Sequence, residues 1–176
     1  ARASAKRMIE KDGVIMFSGG SSSGVAVAVQ SLAQEMGAHN VLNVGDTSLE
    51  ERQAILSDLC DGVGPDIVIE TAGVPVAFQE SLELVRRGGI VVEVGHFTDP
   101  GACEIHPHII CFKDLDIRGM WAYPPMQFKT ALSFLKNTKA PLDKFITHRL
   151  PLSSIAEGID ITGSEGSMKV VIEPGS

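Results

Sequence analysis

Short, almost continuous apolar runs alternate along the chain with longer stretches whose apolar positions recur every three or four residues. The runs at Val14–Phe17, Val41–Val44, Asp66–Glu70, Ile90–Val94 and Leu115–Gly119 predict strands. Unbroken apolar character is what a strand covered on both faces requires. Between and around them, Ala1–Ile9, Gly24–Met36, Ser48–Leu59, Val76–Arg86 and Met126–Leu135 predict helices. Ser48 followed three residues later by Glu51 has the form of a capping box. Ile55 and Leu59 share the apolar face of that helix, and Gly62 and Gly64 stop it. In the next helix Leu82, Leu84 and Val85 form the apolar side. Arg86 and Arg87 suit its negative C-terminal end ahead of Gly88 and Gly89. Strand–helix–strand repetition produces parallel strands joined by right-handed crossovers, so the predicted class is α/β, a doubly wound parallel sheet flanked by helices. From Lys139-Ala140-Pro141 onward the rhythm changes. Ile146–Leu150 reads as a strand, Ser153–Ile161 as a short helix and Lys169–Glu173 as a strand. This tail is expected to be an α+β appendage on the sheet or a piece of a second domain, which divides the chain into 1–140 and 141–176.

Composition narrows the function classes. With 176 residues the chain is close to one domain long, at roughly 150 residues per domain. Its 44% hydrophobic and 21% charged content excludes a disordered or fibrous chain. The net charge of −7 leaves no basic footprint for nucleic acid and no polybasic cluster for an anionic membrane. Three cysteines, Cys60, Cys103 and Cys111, are too few and too odd for a disulfide framework and read as reduced thiols. No apolar run approaches the ~18 residues of a membrane span. Ala1–Asp12 carries four basic residues but is followed by no apolar stretch of signal-peptide type. The expectation is a cytoplasmic protein that binds neither nucleic acid nor membrane.

The first predicted strand runs directly into Ser18-Gly19-Gly20-Ser21-Ser22-Ser23-Gly24, and a helix follows. Strand, glycine-rich turn and helix together have the arrangement of a phosphate site, the other reading of such a Gly/Ser run being a flexible surface loop. The backbone approaches closely, and the free N–H groups of the first helical turn point at the anion. The dinucleotide fingerprint places glycine at i, i+2 and i+5; here those positions are Gly19, Ser21 and Gly24, with Gly20 adjacent to the middle one. Asp46, just after the second strand, is the acid placed to hold ribose hydroxyls, or else an acidic residue at the start of the following helix. Cys103, His106, His108 and Cys111 have metal-like ligand types, but Pro107 and Ile109-Ile110 read as a loop entering the next strand, so no metal is expected there. His148-Arg149 reads as a surface strand. The cysteines carry no catalytic signature.

Six segments together carry a resemblance. They are Gly37-Ala38-His39-Asn40-Val41-Leu42-Asn43, Gly64-Pro65-Asp66-Ile67-Val68-Ile69-Glu70-Thr71-Ala72-Gly73-Val74-Pro75, Gly88-Gly89-Ile90-Val91-Val92-Glu93-Val94-Gly95, Phe112-Lys113-Asp114-Leu115-Asp116-Ile117-Arg118-Gly119, Ile146–Leu152 and Gly166–Ile172. In this order and spacing the chain resembles the zinc-type alcohol dehydrogenase branch of the medium-chain dehydrogenase/reductase family. The resemblance implies a Rossmann-like fold that binds NAD(H) or NADP(H). Gly19 and Gly24 would match the outer glycines of the pyrophosphate turn, with Gly20 and Ser21 between them. Thr71, Ala72 and Gly73 would line the adenosine and nicotinamide ribose. Val94, Gly95 and His96 would stand beside the nicotinamide, and Gly119, Met120 and Trp121 would meet its carboxamide. Lys169 would match a basic position near the pyrophosphate, or else be an exposed strand charge. The resemblance also implies a homodimer paired through the edge of the sixth strand.

Two departures from the family pattern matter. The family has two strand–helix units between the glycine turn and Gly37-Ala38, whereas this chain has one. Residues 13–36 match the first unit with the second deleted, or the second with the first lost. Under the first alignment Asp46 replaces the family's acid by position; under the second Ser18 takes that place, with a lean towards NADP(H). The family's zinc ligands and proton relay belong to an N-terminal substrate domain, and their spacing does not occur ahead of the glycine turn. The chain is therefore expected to be the cofactor-binding portion of an oxidoreductase, inactive alone, with zinc belonging to the full-length protein. The alternative is a non-catalytic nucleotide- or phosphate-binding module on the same fold.

Overall fold

The computed structural model describes residue 38 and residues 40–175 apart from 98 and 165. The predicted elements Ala1–Ile9, Val14–Phe17 and Gly24–Met36 lie outside the described residues, as do Gly19, Gly20, Ser21 and Gly24. The described chain runs through α1 (Leu49–Leu59), β1 (Ile67–Glu70), α2 (Pro75–Leu84), β2 (Ile90–Glu93), α3 (His108–Phe112), β3 (Asp116–Gly119) and α4 (Met126–Asn137). It continues through a 3₁₀ turn at Leu142–Phe145, β4 (His148–Pro151), a second 3₁₀ turn at Leu152–Ser154, α5 (Ile155–Ile161) and β5 (Val170–Glu173).

Strands β1, β2 and β3 form a parallel sheet in that order, flanked by helices as the α/β reading requires. The register aligns Val68 with Val91 and Ile117, and Glu70 with Glu93 and Gly119. Because side chains alternate across a strand, these two rows share one face. Val68 and Val91 point into the core, where they meet Leu56 of α1 and Leu82, Leu84 and Val85 at the end of α2. Burying each such aliphatic side chain contributes about 1.5–3 kcal/mol.

The chain's local signals act largely as expected. Ser48 caps α1: its side chain accepts from the Glu51 amide, and the Glu51 carboxylate accepts from the Ser48 amide. Both bonds of the capping box are present. The inward stripe of α1 differs, however. Arg52 and Leu56 are buried, while Leu59 is 47% exposed. The reason is the neighbouring helix: Glu80 of α2 receives the Arg52 guanidinium at 2.6 Å, and the Thr47 carbonyl accepts from it at 2.5 Å. Those partners let a charge occupy the face that Ile55 and Leu59 were expected to hold.

Three further expectations are corrected. Val41–Val44 is not one of the described strands; Val44 starts a turn that Asp46 closes by donating its amide to the Asn43 carbonyl. α2 ends at Leu84, so Arg86 and Arg87 lie beyond it. They pair instead with Asp66 and Asp114. The end of α2 is held by Lys113, whose ammonium donates to the carbonyls of Leu82, Glu83 and Val85 at 2.7–3.1 Å. Finally, the tail does contain a crossover. β4 and β5 are parallel, with α5 between them in sequence and packed against both. They form a separate two-stranded sheet.

Candidate functional site

The carboxyl ends of β1, β2 and β3 form the candidate site. Parallel strands send all their exit loops to one end of the sheet, and ligands of open α/β folds bind there. Three backbone bonds tie those loops together. The Glu70 carbonyl accepts from the amides of Val94 and Gly95, and the Glu93 carbonyl accepts from the Met120 amide, all at 2.9–3.1 Å. The sequence-predicted groups Ala72-Gly73, Val94-Gly95-His96 and Gly119-Met120-Trp121 are thereby brought to one edge.

Gly73 and Gly95 touch backbone to backbone. A Cβ on Gly95 would collide with the Glu70 carboxylate and the Gly73 backbone, and one on Gly73 would collide with the Gly95 carbonyl. Gly73 also has φ +68°, a left-handed conformation that costs a side chain dearly. The chain here needs glycine twice to keep the tips of β1 and β2 narrow. Beside them Glu93, Val94, His96, Gly119, Met120 and Trp121 line a recess of about 240 Å³. Trp121 is 78% exposed at its mouth. On the other side of β1, Thr71, Ala72 and Val44 line a second, mainly apolar cleft with Ile69 and Val76.

Two predicted residues stand apart from this edge. Asp46 lies exposed in the turn before α1, and its carboxylate accepts from the Asn43 side-chain amide at 2.6 Å. Lys169 is exposed just ahead of β5, where its backbone pairs with Thr147. Among the described residues, Cys103, His106, His108 and Cys111 do not converge; His108 stacks on Phe112 instead.

Sequence reasoning missed the two acids beneath the recess. Glu70 and Glu93 end their strands in register, so their side chains leave the same face. Glu70 is 4% exposed. Its Oε1 accepts from the amides of Ala72 (2.6 Å) and Gly73 (2.8 Å). The His96 Nδ1 lies 2.8 Å from Glu93 Oε1 and 3.5 Å from Glu70 Oε2. Burial raises the Glu70 carboxyl above the ordinary carboxylate range, and the neighbouring Glu93 carboxylate adds to the rise; the two loop amides oppose it. The available signal was the pair of strands Ile-Val-Ile-Glu and Ile-Val-Val-Glu, which end alike. It becomes informative only once the register is known.

The chain has relatives among known proteins. The family described as "Zinc-binding dehydrogenase" matches residues 24–137. L-threonine 3-dehydrogenase from Xanthomonas oryzae pv. oryzae is 30% identical over 141 residues, covering 80% of this chain and 40% of that protein. The crystal structure of an alcohol dehydrogenase from Thermotoga maritima superposes with a TM-score of 0.77 at 31% identity, covering 81% of this chain and 39% of the other. A protein of Sinorhizobium meliloti 1021 solved bound to NADP gives 0.73 at 27% identity, covering 84% and 42%. The chain thus spans about 40% of the length of the curated relatives it matches. Among the described residues no helix is long and apolar enough to cross a membrane. The chain belongs to the zinc-binding dehydrogenase family and corresponds to the coenzyme-binding part of the zinc-type medium-chain alcohol dehydrogenases.

Proposed function

We propose that this chain binds NAD(H) or NADP(H) across the tips of β1–β3 and presents the nicotinamide for hydride exchange with an alcohol or carbonyl compound. The observation that carries the reading is the narrow pair Gly73–Gly95 beside the recess that ends in Trp121. A flat ring needs a wall without side chains on one side and an open mouth on the other. In this reading the recess takes the nicotinamide, with Val94, His96 and the backbone of Gly119–Trp121 around it. Thr71 and Ala72 face the ribose, and the turn of Gly19, Gly20, Ser21 and Gly24 takes the pyrophosphate. Asp46 reaches a ribose hydroxyl only by releasing Asn43. Lys169 serves as a cation for the phosphates. In full-length members of the family zinc and the alcohol pocket belong to a substrate domain, and residues 141–176 correspond to the part that returns to it. The three free thiols suit the cytoplasm.

Trp121 is the single tryptophan, so it reports on its own surroundings. Titration with NADH and NADPH should quench its emission and sensitise nicotinamide fluorescence in a saturable way. The transfer should disappear in Trp121→Phe while binding by calorimetry persists. No saturable binding of either dinucleotide would end the reading.

We also propose that two copies pair along β3. Among the described strands β3 is an edge of its sheet, and edges left open invite pairing. Met120, Trp121, Tyr123 and Met126 beside it are each more than half exposed. Light scattering at low micromolar concentration should give twice the 18.7 kDa chain mass; a monomer at that concentration would refute the pairing.

A further inference from the structure

Three ligating atoms meet under the recess. Glu70 Oε2, Glu93 and His96 Nδ1 lie within 4.8 Å of one another, contributed by the ends of two adjacent strands and the loop after the second. The atom that points to a ligand is Glu70 Oε2. It is fully enclosed, on a side chain only 2% exposed, and has no hydrogen-bond donor. Glu93 Oε2 is likewise buried without a donor. Glu70 Oε1, by contrast, is satisfied by two loop amides. The carboxylate is therefore held in one orientation with its second oxygen aimed at His96 and Glu93.

Buried acids side by side are relieved by a shared proton or by a compensating positive group, and a cation is the group that His96 beside them can help to hold. Parallel register makes their approach unavoidable, since Glu70 and Glu93 are Cα partners. Ligand atoms bound about 2.1 Å from one ion stand roughly 3.0–3.4 Å apart. The observed 2.8 and 3.5 Å from His96 Nδ1 bracket that spacing. The cluster also has an entrance, because Glu93 and His96 line the open recess. We propose that Glu70, Glu93 and His96 bind one divalent cation of the Mn²⁺ or Zn²⁺ class beneath the recess. Two carboxylate oxygens and one imidazole nitrogen suit ions of this borderline type. Two negative charges neutralise it, and its remaining positions face the recess. The proposal rests on these three side chains alone; its open positions share the recess assigned to the nicotinamide, so it is tested on the chain free of dinucleotide.

Mn²⁺ is the appropriate probe because it favours oxygen and imidazole ligands over the three thiols. The full chain, stripped with chelator and free of dinucleotide, would be titrated with MnCl₂ by calorimetry and electron paramagnetic resonance. The expected result is one saturable ion per chain. Affinity should fall at least about tenfold in both Glu93→Gln and His96→Gln and stay unchanged in Asp160→Asn, a change in the separate β4–β5 unit. Circular dichroism identifies any variant that fails to fold. Echo-envelope modulation on the unmutated chain decides the matter without any variant, by showing one directly bound imidazole nitrogen. No saturable Mn²⁺ binding, binding indifferent to both variants, or an ion without a nitrogen ligand would overturn the proposal. Failure here leaves the dinucleotide titration untouched, and failure there leaves this one untouched.

Discussion

Lys113 shows how much one side chain can organise. Its ammonium lies over the carbonyls of Leu82, Glu83 and Val85, where a helix end concentrates partial negative charge. Replacing it in Lys113→Met leaves those carbonyls short of a donor, and the expected cost is about 1–3 kcal/mol, read as a lower urea midpoint. Burial depresses the Lys113 pKa, partly offset by Glu83. The unfolded chain then holds the proton more tightly than the folded one, so this group makes stability rise with pH on approaching the ordinary lysine range. That rise should be absent in the variant. Cysteine reactivity is also set residue by residue. Burial raises the Cys60 thiol, and the charges of Asp66 and Asp61 add to the effect. Cys111 is exposed. Because the thiolate is the reactive form, Cys60 should be modified by a thiol reagent at pH 7.5 well after Cys111, as followed by peptide mass. Equal rates would contradict this account.

Among the elements, α1 was the most legible. A serine and a glutamate three residues apart carry both halves of the capping box, and that chemistry is local. Ser48→Ala removes an acceptor from the Glu51 amide and is expected to cost about 1 kcal/mol, measured by thermal or chemical unfolding; Ser48→Asp should restore most of it. The end of α2 was not legible, since two arginines in sequence suit a helix terminus and yet the lysine that holds it is contributed from beyond β2. The same limit hid the true inner face of α1. Arg52 is buried because Glu80 stands on the neighbouring helix, and no periodicity within α1 announces a partner 28 residues away.

Considered whole, the described chain holds a three-stranded parallel sheet, whose core closes between β1, β2 and the helices α1 and α2, and a separate two-stranded sheet. Leu82, 1% exposed, sits at the centre of that contact. Leu82→Ala should lower stability by about 2–5 kcal/mol, with secondary structure lost in one cooperative step rather than helix by helix. The alternation of apolar runs and amphipathic stretches made the α/β class and the strands β1, β2 and β3 readable from residues alone, because burial on both faces dictates strand composition locally. The loop residues beyond each strand, Gly73 and Gly95 among them, came from the resemblance to the dehydrogenase family, and parallel strands deliver those exits to one edge. What folding alone decided was register and neighbour. Glu70 and Glu93 are unremarked strand ends until the sheet sets them side by side over His96. Distance along a chain says nothing of which charges will share a buried face, and that is settled only by packing.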